Sequence, residues 1–164
     1  MKKKLVFPLT LFILYTSVSN AQYLQPAPGE VFSTKIVINS SPFRHPFAMV
    51  MGPNDSLWVT EKRGYVIRVN SQNGNKTQLL DIHTLVKFTT SGSGSSMGIS
   101  QDGMFGIALH PDLGKGKGTD YVYVAYCYDS SENRRTKIVQ YTYAKSATTG
   151  LDTLKNAKAL LTGI

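Results

Sequence analysis

Over residues 32–164 the apolar positions fall in short runs separated by turn-forming residues. The runs are FSTKIVIN, PFAMVMG, SLWVTEK, YVIRVN, KTQLLDI, MFGIALH, YVYVAYCYD, KIVQYTY and AKALLTGI. Rich in Val, Ile, Tyr and Thr, they predict strands. Between them stand GPND, KRG, SQNGN, HPDLGKGKGTD and KSATTG, whose Gly, Asn, Asp and Pro favour turns. No helix-period segment of useful length follows the N-terminal region. The tail TLKNAKALLTGI has a helix-compatible composition, but its place in a repeated order predicts a strand.

That order occurs twice. AMVMGP, SLWVTEK, YVIRVN and KTQLLDI are followed by GIALHP, YVYVAYCYD, KIVQYTY and AKALLTGI. Pro53 and Pro111 mark the same place in each unit. Repeats of four short antiparallel strands are the signature of propeller blades; a β-sandwich carries a similar pattern and stays open as an alternative. In YVYVAYCY both alternate faces are apolar: Tyr121, Tyr123, Ala125 and Cys127 on one, Val122, Val124, Tyr126 and Tyr128 on the other. Such a strand is expected to be covered on both sides, as in a blade between two neighbours. Two blades do not close a ring of roughly 4–8. The expectation is therefore an all-β chain forming the first two four-stranded antiparallel blades of an incomplete β-propeller, the N-terminal piece of a longer protein. An extra strand over 32–39 is expected to complete the last blade of that ring.

Composition adds a compartment. MKKKLVFPLTLFILYTSVSNAQ has a basic start, an apolar core over 5–18 and a small-residue cleavage site at Ser19-Asn20-Ala21. It reads as a signal peptide over 1–21. Pro8 and the short core argue against a membrane span, which needs about 20 apolar residues. A linker over 22–31 and the propeller segment over 32–164 follow. The mature protein is expected to be periplasmic or secreted and not membrane-spanning. Lys2, Lys3 and Lys4 carry three of the +8 formal charges, so +5 remain after cleavage. The remaining cations are scattered and form no stripe for nucleic acid. Cys127 is the sole cysteine. It excludes an internal disulfide and is expected to be a small buried side chain.

Candidate chemistry concentrates in SGSGSSMGISQDGMFGIALHP, where a Gly/Ser run meets Gln-Asp-Gly and then an apolar strand. In a propeller the loop leading into an innermost strand lies at the mouth of the central channel. Gln101 and Asp102 are therefore expected at that rim, with Gly103 allowing a sharp turn into the strand. The Gln101 amide can both donate and accept, which suits a hydroxyl-rich ligand such as a sugar. Asp102, in an ordinary Asp-Gly turn pair, is read as structural.

HPFAMVMGPNDSLWVTEKRGYVIRVNSQNG, QDGMFGIALHPD and YVYVAYCY followed by KIVQYTY resemble the N-terminal third of the soluble PQQ-dependent glucose/sorbosone dehydrogenases. The resemblance implies a six-bladed propeller and oxidation of an aldose or related sugar at its anomeric carbon. PQQ held over Ca²⁺ takes the hydride and a His takes the proton. It implies a sugar-binding role for Gln101. It places the general-base His beyond Ile164 and the PQQ and Ca²⁺ ligands later still, so no catalytic, cofactor-binding or metal-binding residue is assigned within these 164 residues. The implied partners are the sugar and an external electron acceptor, with a homodimer left open. The loop VKFTTSGSGSSMGIS departs from the family by its length and Gly/Ser content, which leaves the identity of the sugar open.

Two other functions fit the sequence: a non-catalytic binding propeller of the same family, and a lactonase-like metal hydrolase. His45, His83 and His110 have no metal-ligand spacing, and His110 is read as structural at a strand end. GKGKG at 114–118 lacks the Ser/Thr and following helix of a phosphate loop and is read as a turn. Trp58 is expected in the core.

Overall fold

The computed structural model describes residues 29, 31, 33–38, 42–91, 98–99, 101–131, 133–145 and 148–164. The signal segment expected over 1–21 lies outside them, as do most of the linker and residues 92–97 and 100 of the Gly/Ser loop. The chain divides into two units, Met1–Lys35 and Ile36–Ile164. All regular structure among the described residues belongs to the second.

Ten strands are described: β1 Pro46–Gly52, β2 Ser56–Glu61, β3 Tyr65–Asn70, β4 Lys76–Asp81, β5 Thr90–Ser91, β6 Gly98–Ile99, β7 Met104–Leu109, β8 Tyr121–Ser130, β9 Asn133–Lys145 and β10 Asp152–Thr162. They form two four-stranded antiparallel meanders, β1-β2-β3-β4 and β7-β8-β9-β10, and a two-stranded ribbon, β5-β6. The chain is all-β with the expected repeat of two quartets, and its tail is strand. The expected strand over 32–39 is not there: residues 33–38 lie outside any strand and 33–36 are exposed. β-Character in side chains does not make a strand without ladder hydrogen bonds, and residues 33–38 take no part in either four-stranded sheet.

Local chemistry sets each reversal. Between β3 and β4 the Asn70 side chain accepts from Gln72 N at 2.8 Å and Asn73 N at 3.3 Å, while Gly74 N reaches Asn70 O at 2.8 Å. This is an Asx-type turn set by Asn70, the residue just ahead of SQNGN. Between β1 and β2 a 3-10 turn, Pro53–Asp55, holds Asn54 and Asp55 at positive φ.

The sheets stack face to face with β1 beside β7 and β4 beside β10. Inner strand thus lies on inner and outer on outer, as in adjacent propeller blades. Trp58, Val66, Leu79 and Leu80 of the first sheet share one core with Met104, Val122, Val124, Tyr126, Val139, Tyr141 and Leu154 of the second. The alternation in β8 sends Val122, Val124 and Tyr126 into this core. Its other face departs from the expected full cover. Tyr123 and Ala125 are half-buried and, with Gly106, Ala108 and Ile138, line an open apolar hollow of about 330 Å³. Phe47, Met49 and Met51 are likewise exposed on β1. Trp58 and Cys127 are buried as expected.

Towards the exit end of β1, Arg68 of β3 forms a clasp with the second sheet. Its guanidinium donates to the Tyr143 hydroxyl at 2.5 Å and pairs with Asp152 at 2.8 Å. The Tyr143 ring meets Trp58 edge to face at 5.2 Å. Trp58 Nε1 donates to Ser56 Oγ at 3.0 Å, so the indole cannot shift freely.

Two outcomes are expected. A Cβ on Gly52 would sit 2.2 Å from Trp58 Nε1 and 2.5 Å from its Cδ1. Gly52→Ala should therefore destabilise the fold by about 1–3 kcal/mol, read by urea unfolding; no loss would mean that the indole has room to move. Desolvation pushes the Asp152 carboxyl up, but hydrogen bonds from Tyr143 and Arg68 outweigh it and hold the group below its ordinary value. The clasp's stabilisation is then complete above the unfolded carboxylate range, near pH ~3.9, and is lost as pH falls through the lower folded value. Asp152→Asn should cost about 1 kcal/mol at neutral pH, and the gap from wild type should close towards pH ~2. A gap that persists in acid would rule out the charged clasp.

Candidate functional site

The leading ends of β1 and β7 lie side by side, and the turn between β2 and β3 ties them together. Lys62 N donates to His45 O at 3.0 Å just before β1. Lys62 O accepts from Met104 N, the first residue of β7, at 2.9 Å. Glu61, 6% exposed, accepts from Arg44 N through Oε1 at 2.6 Å. One short turn of the first sheet thus fixes where two inner strands begin.

Gly103 is the hinge into β7. Its φ is +108°, and a Cβ there would lie 2.7 Å from Lys62 Cγ and 2.8 Å from Lys62 O. Both backbone angle and space demand glycine. Gly103 O accepts from Cys127 N at 2.8 Å, and Cys127 O accepts from Lys87 N at 2.9 Å. The backbone of buried Cys127 therefore joins both limbs of the connection between the sheets. Its Sγ lies 3.8 Å from Thr136 Oγ1.

Asp102 is a staple. One carboxylate oxygen accepts from Thr89 N at 2.9 Å; the other accepts from Thr89 N and Thr89 Oγ1 at 3.0 Å each. Arg134 of β9 pairs with the second oxygen through Nη1. Arg134 Nε donates to Asp129 of β8 at 2.5 Å, and that bond, more than the field of Asp102, raises the guanidinium's pKa further. The structural reading of Asp102 holds. Arg134 carries no signal in sequence, because Arg134-Arg135 in a strand reads as a solvated basic pair and its partners are distant along the chain.

Gln101 stands immediately before the staple, exposed, at the leading end of the second sheet's first strand. Two aromatic contacts lie at the β2–β3 turn and the segment after β4. Arg63 lies over the Phe88 ring at 5.8 Å, and Tyr65 stacks on His83 at 5.9 Å. His83 Nδ1 is 2.6 Å from Asp81 Oδ1, and its hydrogen bond is the largest influence drawing the Asp81 carboxyl below its ordinary value.

His110 lies at the far end of β7. There its N donates to Tyr121 O at 2.9 Å and its Nδ1 accepts from Asp112 N at 3.2 Å, the structural role expected of it. The GKGKG stretch is a turn with Gly114, Gly116 and Gly118 at positive φ, and Asp112 pairs with both Lys115 and Lys117 at 3.2 Å. Among the described residues no three His, Cys, Asp or Glu side chains gather where a metal ion would need them.

Comparison with known proteins places this arrangement. The model of the glucose/sorbosone dehydrogenase family matches residues 43–162. Quinoprotein glucose dehydrogenase B of Acinetobacter calcoaceticus is 28% identical over a 145-residue alignment that covers 84% of this chain and 27% of that protein. The chain thus spans about a quarter of that relative's length. A crystal structure described as an oxidoreductase (glucose dehydrogenase) from Thermus thermophilus aligns at 18% identity and a TM-score of 0.45, covering 74% of this chain and 29% of that one. Matched from just ahead of β1 to the end of β10, the chain belongs to the glucose/sorbosone dehydrogenase family.

Proposed function

We propose that the full-length gene product is an exported quinoprotein sugar dehydrogenase that oxidises an aldose or related sugar at the anomeric carbon, with PQQ as hydride acceptor and Ca²⁺ as its companion ion. The observation that carries this reading is the family match across both sheets, together with the position of Gln101 inside the matched segment, next to the Asp102–Thr89 contact. Its proposed role is to hydrogen-bond a sugar hydroxyl. An amide on a stapled backbone can do so at little entropic cost, since the protein is ordered before the ligand arrives. The His83 ring is bonded to Asp81 and the His110 ring accepts from the Asp112 amide, so neither is offered as the base. The proton-accepting His is assigned to sequence after Ile164.

By resemblance to the family, the PQQ and Ca²⁺ ligands come later in sequence than this segment, so no residue of it is given to either group and its proposed contribution is to hold substrate.

Reconstitution of the full-length gene product with Ca²⁺ and PQQ should give aldose-dependent reduction of a redox dye. Gln101→Ala should lower kcat/KM by an amount equivalent to about 1–3 kcal/mol, the cost of one lost hydrogen-bond partner in a binding site. A reconstituted protein that reduces no dye across a broad sugar panel would leave the binding-propeller reading. Lactone hydrolysis without PQQ would favour the hydrolase.

A further inference from the structure

We propose that Arg134 is a positioning residue: held by Asp129, it fixes Asp102 and thereby the orientation in which the adjoining Gln101 meets a sugar hydroxyl. This rests on the reading of Gln101 as a substrate ligand. Downstream of Asp102 the chain is well anchored, through Gly103 O to Cys127 N at 2.8 Å and Met104 N to Lys62 O at 2.9 Å. Between that anchor and Gln101 lies Gly103 itself, the residue type with the widest conformational freedom. Unless something grips the chain on the Gln101 side of this glycine, residue 101 can swing. The Ile99–Thr90 pairing holds the chain two residues upstream of Gln101, and the Asp102 carboxylate grips it at the residue next to Gln101.

The grip has several parts on different elements. Thr89 supplies an amide and a hydroxyl to Asp102. Arg134 supplies the charge, and its second donor is tied to Asp129 at 2.5 Å on the neighbouring strand. A planar guanidinium can face two carboxylates at once in fixed directions; an ammonium on a flexible stem does so poorly. The Asp102 side chain is 16% exposed and that of Arg134 34%. An ion pair this near solvent adds little to global stability, so its consequence is the local geometry of residue 101. Because the pair joins the start of β9 to the segment before β7, it also makes that geometry depend on the β8–β9 hairpin of the second sheet.

The test uses the full-length gene product reconstituted with Ca²⁺ and PQQ, and the variants Arg134→Met, Arg134→Lys, Gln101→Ala and the Arg134→Met/Gln101→Ala double. Two readouts are taken: steady-state kinetics with an aldose, and amide hydrogen exchange at Thr89 and across 101–104. Arg134→Met should raise KM about fivefold with kcat changed less than about twofold. Arg134→Lys should fall between it and wild type, and the double variant should be no worse than Gln101→Ala alone. Thr89 exchange should quicken in Arg134→Met and stay unchanged in Gln101→Ala. Unchanged Thr89 exchange in Arg134→Met overturns the proposal, as do full additive effects of the two substitutions on KM. A silent Gln101→Ala alongside quickened Thr89 exchange identifies a different failure. It removes the sugar-ligand role of Gln101, and with it the purpose assigned to Arg134.

Discussion

A sheet with apolar side chains on both faces cannot stand alone in water, and here the face shared by the two quartets is where that demand is met. Trp58, Val66 and Leu79 on one side and Val122, Val124 and Tyr126 on the other are almost fully removed from solvent. At about 25 cal/mol per Å² of apolar surface, such side chains contribute roughly 1.5–3 kcal/mol each, more than any single polar contact near the surface. The stacking also has a direction. With β1 on β7 and β4 on β10, the sheets share one radial sense, and their leading loops are forced to the same end. The proximity of Lys62 to Met104 is a consequence of that stacking rather than a separate invention.

Polar contacts then tune what burial has assembled. Arg68, Tyr143 and Asp152 secure the interface near the exit end of the inner strands. Arg134, Asp129, Asp102 and Thr89 secure the opposite end. The two sets differ in consequence. The Arg68 group packs against Trp58 and so bears on stability, through the edge-to-face contact of Tyr143 with the indole. The Arg134 group reaches the connection between the sheets instead of the core and bears on the shape of one loop. Both use arginine, whose planar fork can serve two partners in fixed directions.

Most of the architecture was legible because the signals are local. Alternation and turn residues in PFAMVMG, YVIRVN and SQNGN located β1, β3 and the turn after β3, since pleat and Asx-turn chemistry act over a few residues. The tail was legible only through the repeat; its composition alone pointed to helix, and pairing with β9 decided otherwise. The segment at 32–39 misled because β-character describes side chains, whereas a strand also requires a neighbour. At the site, Gly103 was legible, since Asp-Gly before an apolar run announces a turn. Arg134 was not. Its distance of 32 residues from Asp102 is bridged only by a meander whose register no short pattern encodes.

The connection between the sheets is pinned at both ends. Thr89 and Asp102 clasp each other, and just inside them Thr90 and Ser91 pair with Ile99 and Gly98 as a miniature ladder. Whatever length of chain evolution inserts between Ser91 and Gly98, the strain stops at that ladder. Loop closure adds only about 0.6 kcal/mol for each doubling in length. The segment is thus an insulated site for diversification: descendants can lengthen or redecorate it without disturbing the register of the blade that follows.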